Sequence, residues 1–241
     1  MRTTVSALAC HDPDVRKVSL DGHRKTGIDL IAKFPTMVAA YDNIRRGKKP
    51  VKPDPKLTHA ANFLYMLNGE VPDQTSAKAM NTDFILHAEH GFNASTFAVR
   101  VTISTLSDLH SAITSGVGTL KGPLHGGAAQ EAWKMISKIK DPDKAEAFVK
   151  EALRKKEKIM GFGHRVYRVY DPRARILKKM SYELSKSKNN MRWYDVSVGV
   201  EETMIGVKKI NPNVDFYSSS VYHNLGIPLD LDTPIFAIAR I

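Results

Sequence analysis

The chain has 241 residues, 42% of them hydrophobic and 25% charged, a composition typical of a globular protein with one large domain or two smaller ones. Its longest apolar runs fall short of the roughly 18 residues that a membrane-spanning helix needs, and its polar start does not resemble a secretory signal. The single cysteine, Cys10, excludes an internal disulfide, so we expect a reducing, cytoplasmic setting.

The formal net charge of +11 comes from 36 Lys and Arg residues against 25 Asp and Glu residues. This balance favours anionic partners such as nucleic acids, acidic lipids or small polyanionic substrates. The basic clusters at 45–49 and 154–158 are short, and no helix-turn-helix, zinc-finger or RNA-binding motif stands beside them. We interpret these clusters as solvated helix faces and expect neither a nucleic-acid partner nor a membrane partner, and the charge alone does not decide the function.

Apolar residues recur at three- and four-residue spacing in the first half of the chain, which predicts helices. The first predicted helix covers 57–67, and the second runs from about Thr75 to His90. The third is one long helix over 94–120, with Asn93 as its N-cap.

Asp-Pro pairs at 141–142 and 171–172 predict the starts of two further amphipathic helices, because Asp caps a helix and Pro fits its first turn. Another amphipathic helix is predicted over about 191–208. Strand candidates are few and short, and the best of them, 214–217, is not expected to form a strand. The sequence therefore predicts an all-α fold.

Three glycine- and histidine-rich segments interrupt the helices, at 87–93, 121–128 and 160–173. Glycine lets the backbone turn sharply and lets a ligand approach closely, and a helix break can present backbone N–H groups to an anion. A metal site is not expected. The chain has no HxxxH or HExxH pair, and arginines next to the histidines would repel a cation.

The third segment carries the strongest chemical signal. Arg173 lies in the first turn of a predicted helix, where the helix dipole and a guanidinium together can receive a carboxylate or phosphate. Arg165 and Arg168 lie just upstream, next to His164. This pattern indicates a site for an acidic substrate with an acid–base histidine beside it; the alternative is an arginine that only caps and solvates the helix.

These segments resemble the signature motifs of the citrate synthase family, in the same order and at matching intervals. The motifs are GPLHGGA at 122–128, GFGHRVYRVYDPRA at 161–174 and NVDFYS at 213–218, with further similar stretches at 53–67, 87–97 and 233–240. The resemblance extends over nearly the whole chain, and the GxGHxxxRxxDPR string is highly specific. It implies an all-α fold with a large helical domain, a smaller helical domain and a cleft between them.

The resemblance also implies how the domains divide. Residues 1–125 match part of the large domain, 126–222 match the small domain, and 223–241 match the return to the large domain. Family members are longer, and on this comparison the chain begins inside the large domain and stops within a helix. We therefore expect the 241-residue chain alone to be a poor enzyme.

Catalytic roles follow from the same resemblance. His125 matches the histidine that hydrogen-bonds the thioester carbonyl of acetyl-CoA and stabilises its enol. Asp215 matches the base that removes the methyl proton. His164 matches the histidine that polarises the ketone of oxaloacetate and serves in acid catalysis.

The resemblance also assigns binding residues. Three positions match those that grip the oxaloacetate carboxylates: His90, Arg173 and Arg240. Four positions match the stretch that meets coenzyme A: Lys158, Gly161, Gly163 and Arg168. No metal or organic cofactor is implied, because coenzyme A enters as a substrate.

The implied activity is the condensation of acetyl-CoA with oxaloacetate and water to give citrate and CoA, by a cytoplasmic homodimer. Two alternatives stay open. One is 2-methylcitrate synthase, which shares these motifs and uses propionyl-CoA. The other is a catalytically silent chain that acts only as a dimerisation partner.

Overall fold

The structure, a computed structural model, describes residues 1–17, 19–122 and 125–241. These residues form twelve α-helices and three short 3-10 turns. Within the described ranges no β-strand occurs, and the one extended pairing is an isolated antiparallel bridge between Phe162 and Pro212. The all-α prediction is confirmed.

By its internal contacts the chain divides into two compact units, 1–126 with 233–241, and 127–232. The second unit ends at Asp232, whereas the predicted small domain ends at 222. Residues 227 and 231 are buried and follow α11 closely in the chain, which extends this unit beyond the predicted boundary. Whether the units correspond to functional domains stays a prediction.

The first unit is built from seven helices. They are α1 (Arg2–Leu8), α2 (Leu20–Arg45), α3 (His59–Asn68), α4 (Gln74–Ala88), α5 (Ala94–Ser104), α6 (Leu109–Leu120) and α12 (Asp232–Arg240), whose first residue still belongs to the second unit. Helix α3 packs against both α2 and α4, and α6 packs against α1 and α5. Side chains such as Phe34, Phe63 and Met80 are fully buried and form the core that holds these helices.

The prediction of one long helix over 94–120 is wrong, because the chain breaks between α5 and α6. Leu106 has a φ of +63°, a left-handed conformation that an α-helix cannot contain. Asp108 then caps α6, its side chain accepting from the Ser111 N–H at 2.9 Å. The capping pattern Asp-Leu-His-Ser was present in the sequence but was masked by apolar residues on both sides.

The second unit is built from five helices. They are α7 (Ala128–Ile139), α8 (Ala145–Arg154), α9 (Pro172–Ser187), α10 (Arg192–Lys208) and α11 (Val214–Asn224). Helix α11 packs against α7 and α9, and residues 216–222 are all buried. The hydroxyls of Ser218 and Ser219 donate to the carbonyls of Val214 and Phe216, so these serines are satisfied inside the core.

Residues 214–217, the best strand candidate of the sequence, open helix α11. Asn213 caps this helix, and its side-chain oxygen accepts from the Asp215 N–H at 3.1 Å. The Asp-Pro start at 171–172 is confirmed, since Asp171 accepts from the Arg173 N–H at 3.0 Å. The pair at 141–142 starts a 3-10 turn that leads into α8.

An aromatic cluster joins α7, α10 and α11. His223 stacks on Trp133 with ring centroids 4.1 Å apart, and both rings meet Trp193 edge-on, at 5.7 Å and 5.1 Å. Such contacts contribute about 0.5–1.5 kcal/mol each beyond area burial.

In the described part of the chain, none of the helices has the length and apolar character needed to cross a membrane. The longest, α2, has 26 residues but carries charged side chains along its length. This agrees with the absence of long apolar runs in the sequence.

Two glycines of α10 test the packing of the second unit. A Cβ at Gly199 would lie 2.9 Å from the Ala145 Cβ of α8, whereas one at Gly206 would meet nothing within 4 Å. We expect Gly199→Ala to lower the free energy of unfolding by about 1–3 kcal/mol through overpacking. Gly206→Ala should raise it by about 0.5–1 kcal/mol through helix propensity. Denaturant unfolding measures both, and equal effects would contradict the close approach of α8 and α10.

Candidate active site

The predicted site residues are shared between the two units. Three lie in the first unit: His90, His125 and Arg240. Seven lie in the second unit: Lys158, Gly161, Gly163, His164, Arg168, Arg173 and Asp215. Pro123 and Leu124 of the GPLHGGA motif lie outside the described residues.

His125 in the first unit is half-buried and is held by Ser95 at the start of α5. The Ser95 N–H donates to His125 Nε2 at 3.3 Å, and the Ser95 Oγ lies 2.9 Å from the same nitrogen. A backbone N–H can only donate, so Nε2 is an acceptor and the proton of the neutral ring sits on Nδ1. His125 therefore presents Nδ1–H as a hydrogen-bond donor.

Arg240 of α12 acts on the same histidine. Its Nε donates to the His87 carbonyl at 2.6 Å, and its guanidinium lies over the Phe236 ring, 4.6 Å from the centroid. Burial lowers the pKa of His125, and the positive charge of Arg240 lowers it further. The imidazole is thus held neutral near physiological pH. His90 lies half-buried in the segment between α4 and α5.

In the second unit, a loop that carries His164 is paired to the segment that leads into α11. We call residues 160–171 the histidine loop. The Gly163 N–H donates to the Asn211 carbonyl at 2.9 Å, and the Asn213 N–H donates to the Gly161 carbonyl at 2.8 Å. The Asn213 side chain also donates to the Gly163 carbonyl at 2.9 Å. His164 and Asp215 therefore follow two segments that are directly hydrogen-bonded.

Gly161 is required by this pairing. Its φ is +82°, and a Cβ there would lie 2.8 Å from Phe216 Cβ and 2.9 Å from Phe216 Cα. A side chain at this position would meet both backbone strain and helix backbone, which cannot move away cheaply. The structure thus gives Gly161 a packing role, while its predicted contact with coenzyme A stays a prediction.

His164 is held in the opposite tautomer to His125. Its Nδ1 accepts from the backbone N–H groups of Val166 and Tyr167, at 3.0 Å and 3.1 Å. Arg173 Nη2, which can only donate, faces Nε2 at 3.3 Å, but the two backbone donors on Nδ1 outweigh this single contact, so we assign the proton of the neutral ring to Nε2. Burial and Arg173 lower the pKa of His164, and the carboxylates of Asp171 and Asp215 act in the opposite direction.

Arg173 is paired with a buried carboxylate. Its Nε and Nη2 donate to Asp171 Oδ1 and Oδ2 at 3.1 Å and 2.8 Å, and Asp171 is only 1% exposed. The Asp171 side chain also caps α9, so the helix N-terminus that was expected to receive a substrate anion is occupied by the protein's own carboxylate. The guanidinium is held rigidly, with Nη2 3.3 Å from His164 Nε2.

With the ring proton of His164 on Nε2, Arg173 Nη2 and His164 Nε2–H are donors whose nitrogens lie 3.3 Å apart, an arrangement that suits a substrate oxygen accepting from both. Asp215, in the first turn of α11, is half-buried and close enough to influence the pKa of His164. The second unit therefore brings together His164, Arg173 and Asp215.

The positions predicted to meet coenzyme A offer positive charge at the surface. Lys158 and Arg168 are exposed, and Gly163 has a φ of +78°. Across residues 1–17, 19–122 and 125–241, no group of three or more His, Cys, Asp or Glu side chains is arranged to hold a metal ion.

Sequence reasoning missed three residues that hold the site. Ser95 fixes the His125 ring, Asp171 pairs with Arg173 in addition to capping α9, and Asn213 joins the histidine loop to α11. Asp171 and Asn213 carried a signal as caps, which says nothing about their long-range contacts. Ser95 carried none, because a backbone N–H and a common hydroxyl meet a histidine 30 positions away in the chain.

Comparison with known proteins gives a consistent match. The family model of the citrate synthase C-terminal domain matches residues 1–241. Citrate synthase 2 of Bacillus subtilis is 48% identical over 240 residues, which cover 100% of this chain and 64% of that protein. The chain therefore spans just under two thirds of this relative.

Two solved structures of citrate synthases superpose closely on this chain. Citrate synthase from Pyrobaculum aerophilum superposes with a TM-score of 0.93 at 37% identity, covering 99% of this chain and 63% of that one. The ternary complex of carboxymethyl coenzyme A and oxaloacetate with citrate synthase from Thermoplasma acidophilum gives 0.90 at 35% identity, covering 99% and 64%.

The two tautomers can be measured. Nitrogen-15 NMR near neutral pH should show a neutral His125 protonated on Nδ1 and a neutral His164 protonated on Nε2. Arg240→Gln should raise the pKa of His125 by removing its charge, and should leave that of His164, whose shift comes from other groups. Arg100→Gln makes the same change in net charge on α5 and is the control. Identical tautomers in the two rings would contradict the backbone contacts.

Proposed function

We propose that this chain, which belongs to the citrate synthase family, supplies the catalytic groups that condense acetyl-CoA with oxaloacetate and water to give citrate and CoA. One observation carries the proposal. Two neutral histidines each have one ring nitrogen fixed as an acceptor by backbone N–H donors, so the ring proton is assigned to the other nitrogen, and a carboxylate accompanies one of them.

The thioester half of the reaction needs a base and an oxyanion donor together. The α-proton of a thioester is weakly acidic, so its removal by Asp215 requires stabilisation of the developing enolate oxygen in the same step. The Nδ1–H of His125 is suited to that oxygen. A neutral imidazole serves here, because its one N–H can donate a hydrogen bond to the enolate oxygen.

The ketone half needs an electrophile with a polarised carbonyl. The Nε2–H of His164 can donate to the ketone oxygen of oxaloacetate, while Arg173, Arg240 and His90 hold its carboxylates. The methyl carbon then attacks the ketone carbon, and the ketone oxygen takes up a proton to become the hydroxyl. Water cleaves the resulting thioester and releases CoA.

The pair of Arg173 with Asp171 refines the assigned role. The pair uses the Nε and Nη2 edge of the guanidinium, which leaves the Nη1 edge for a substrate carboxylate. Because the buried Asp171 fixes the guanidinium, little conformational entropy is lost when substrate binds.

Lys158 and Arg168 are proposed to meet the phosphates of coenzyme A, together with Gly161 and Gly163. The proposed reaction uses no metal or prosthetic group.

A homodimer in the cytoplasm is the proposed state. Large apolar side chains on and beside α5 are exposed, namely Phe92, Phe97 and Val101, at 69%, 60% and 50%. An exposed apolar patch of this kind is typical of a protein–protein interface. The single cysteine agrees with a reducing compartment.

Thiol release from acetyl-CoA in the presence of oxaloacetate tests the activity. The assay uses the 241-residue chain and, in parallel, a version extended at both ends to the length of the relatives. Asp215→Asn keeps the shape and removes the base, so turnover should fall by roughly 10²–10⁴-fold. Unchanged turnover would contradict the role of Asp215.

The same assay with propionyl-CoA tests the two alternatives. Faster release from propionyl-CoA than from acetyl-CoA would favour 2-methylcitrate synthase. No release from either thioester would favour the silent dimerisation partner.

The two substrates can be separated by a second pair of variants. His125→Ala should abolish proton exchange at the acetyl methyl group and leave oxaloacetate binding, measured by calorimetry, nearly intact. Arg173→Ala should weaken oxaloacetate binding by about 2–5 kcal/mol. Since Arg173→Ala also leaves Asp171 unpaired, its free energy of unfolding is measured alongside. Equal loss of oxaloacetate affinity in both variants would contradict the assignment.

A further inference from the structure

Glu201 of α10 is a carboxylate in the interior of the second unit. It is 3% exposed, and three side chains donate to it. The Tyr170 hydroxyl donates to Oε1 at 2.6 Å, Lys178 Nζ donates to Oε2 at 2.7 Å, and the Tyr217 hydroxyl also donates to Oε2. A buried carboxylate is costly unless it is paired and hydrogen-bonded, and these donors meet that requirement.

Both tyrosine hydroxyls keep their protons and so remain hydrogen-bond donors. Burial raises the pKa of Tyr170 and of Tyr217, and the neighbouring carboxylate of Glu201 raises both further. Neither hydroxyl loses its proton in the physiological range, so both hydrogen bonds persist there. Hydrogen bonds to a charged group are stronger than those between neutral groups.

The two tyrosines belong to the two segments that carry the proposed chemistry. Tyr170 is in the histidine loop and directly precedes Asp171, which holds Arg173. Tyr217 is on α11, two residues after Asp215. One carboxylate therefore connects the oxaloacetate-binding segment to the helix that bears the base.

This connection joins the same two segments at a second place. The backbone pairing of 161–163 with 211–213 joins them at one end, where the Phe162 ring also packs on Phe216 with centroids 4.6 Å apart. Glu201 joins them at the other end through its tyrosines. Attachment at both ends restricts the loop against α11 more than attachment at one end would.

We propose that Glu201 is a positioning residue that fixes Asp215 relative to His164 and Arg173 by holding Tyr170 and Tyr217 on one carboxylate. The proposal rests on the proposed function for its catalytic meaning. Its physical content, that Glu201 holds the two segments together, does not depend on substrate.

Hydrogen exchange of the unliganded protein tests that content first. Glu201→Gln keeps the shape and removes the charge, so amides in 160–171 and 211–218 should exchange about 10-fold faster or more. Amides of α8, at 145–154, should change by less than about twofold. A uniform rise across all three segments, or no rise in the first two, would overturn the proposal.

Ser220→Ala is the matched control for a buried polar loss. Ser220 lies on α11 with its Oγ 2.8 Å from that of Ser181, and its removal leaves the donors to Glu201 in place. It should lower overall stability without selective exchange in the histidine loop. Should Ser220→Ala give the same selective pattern as Glu201→Gln, the effect would be general loosening and the proposal would be wrong.

Kinetics then separate positioning from general stability. Tyr217→Phe should lower kcat by about 10-fold with oxaloacetate affinity changed less than twofold, because it releases the helix that bears the base. Tyr170→Phe should weaken oxaloacetate binding by about 10-fold, because it releases the loop. Tyr182→Phe removes an exposed tyrosine hydroxyl of α9 that is not among the three donors to Glu201, and it should change neither quantity.

The two proposals fail differently. If wild-type protein neither binds oxaloacetate nor releases thiol while exchange in Glu201→Gln stays selective, the proposed function is wrong and the link through Glu201 stands. If wild-type protein is active and both tyrosine variants lose kcat and affinity in equal proportion, the positioning role is wrong and the proposed function stands.

Discussion

Gly161 lies against the backbone of Phe216 so closely that no side chain fits between them. This contact brings the histidine loop onto the start of α11, where the hydrogen bonds between 161–163 and 211–213 then form. His164 and Asp215 each follow this junction within two residues along their own segment of the chain. The placement of the chemical groups in the second unit thus depends on a missing Cβ, and the polar contacts follow from the packing.

Backbone N–H groups determine the tautomer of both histidines, but they contact opposite ring nitrogens in the two rings. In each ring, backbone N–H groups occupy one nitrogen and so decide where the proton sits, on Nδ1 in His125 and on Nε2 in His164. Backbone donors cannot titrate or be reversed, which makes the assignment more secure than one made by a hydroxyl or carboxylate. Burial and a nearby arginine then hold each ring neutral.

Local patterns in the sequence predicted what local physics decides. The helix over 59–68 and the cap at Asp171 could be found because periodicity and capping act within one turn. Helix α2 escaped detection because Gly27 and Pro35 interrupt its pattern. The break at Leu106 also escaped, since leucine gives no sign of a positive φ. Ser95 contacts His125, 30 positions away in the chain, and Glu201 contacts Tyr170 and Tyr217, 31 and 16 positions away. No spacing rule covers such separations.

The aromatic cluster has a consequence for spectroscopy. The chain has two tryptophans, and both stand in that cluster, stacked with or edge-on to His223 in the second unit. Indole fluorescence therefore reports the second unit alone, while the first unit, which has tyrosines but no tryptophan, is dark under selective excitation. Fluorescence and circular dichroism together would show whether the two units melt in one cooperative transition or in two.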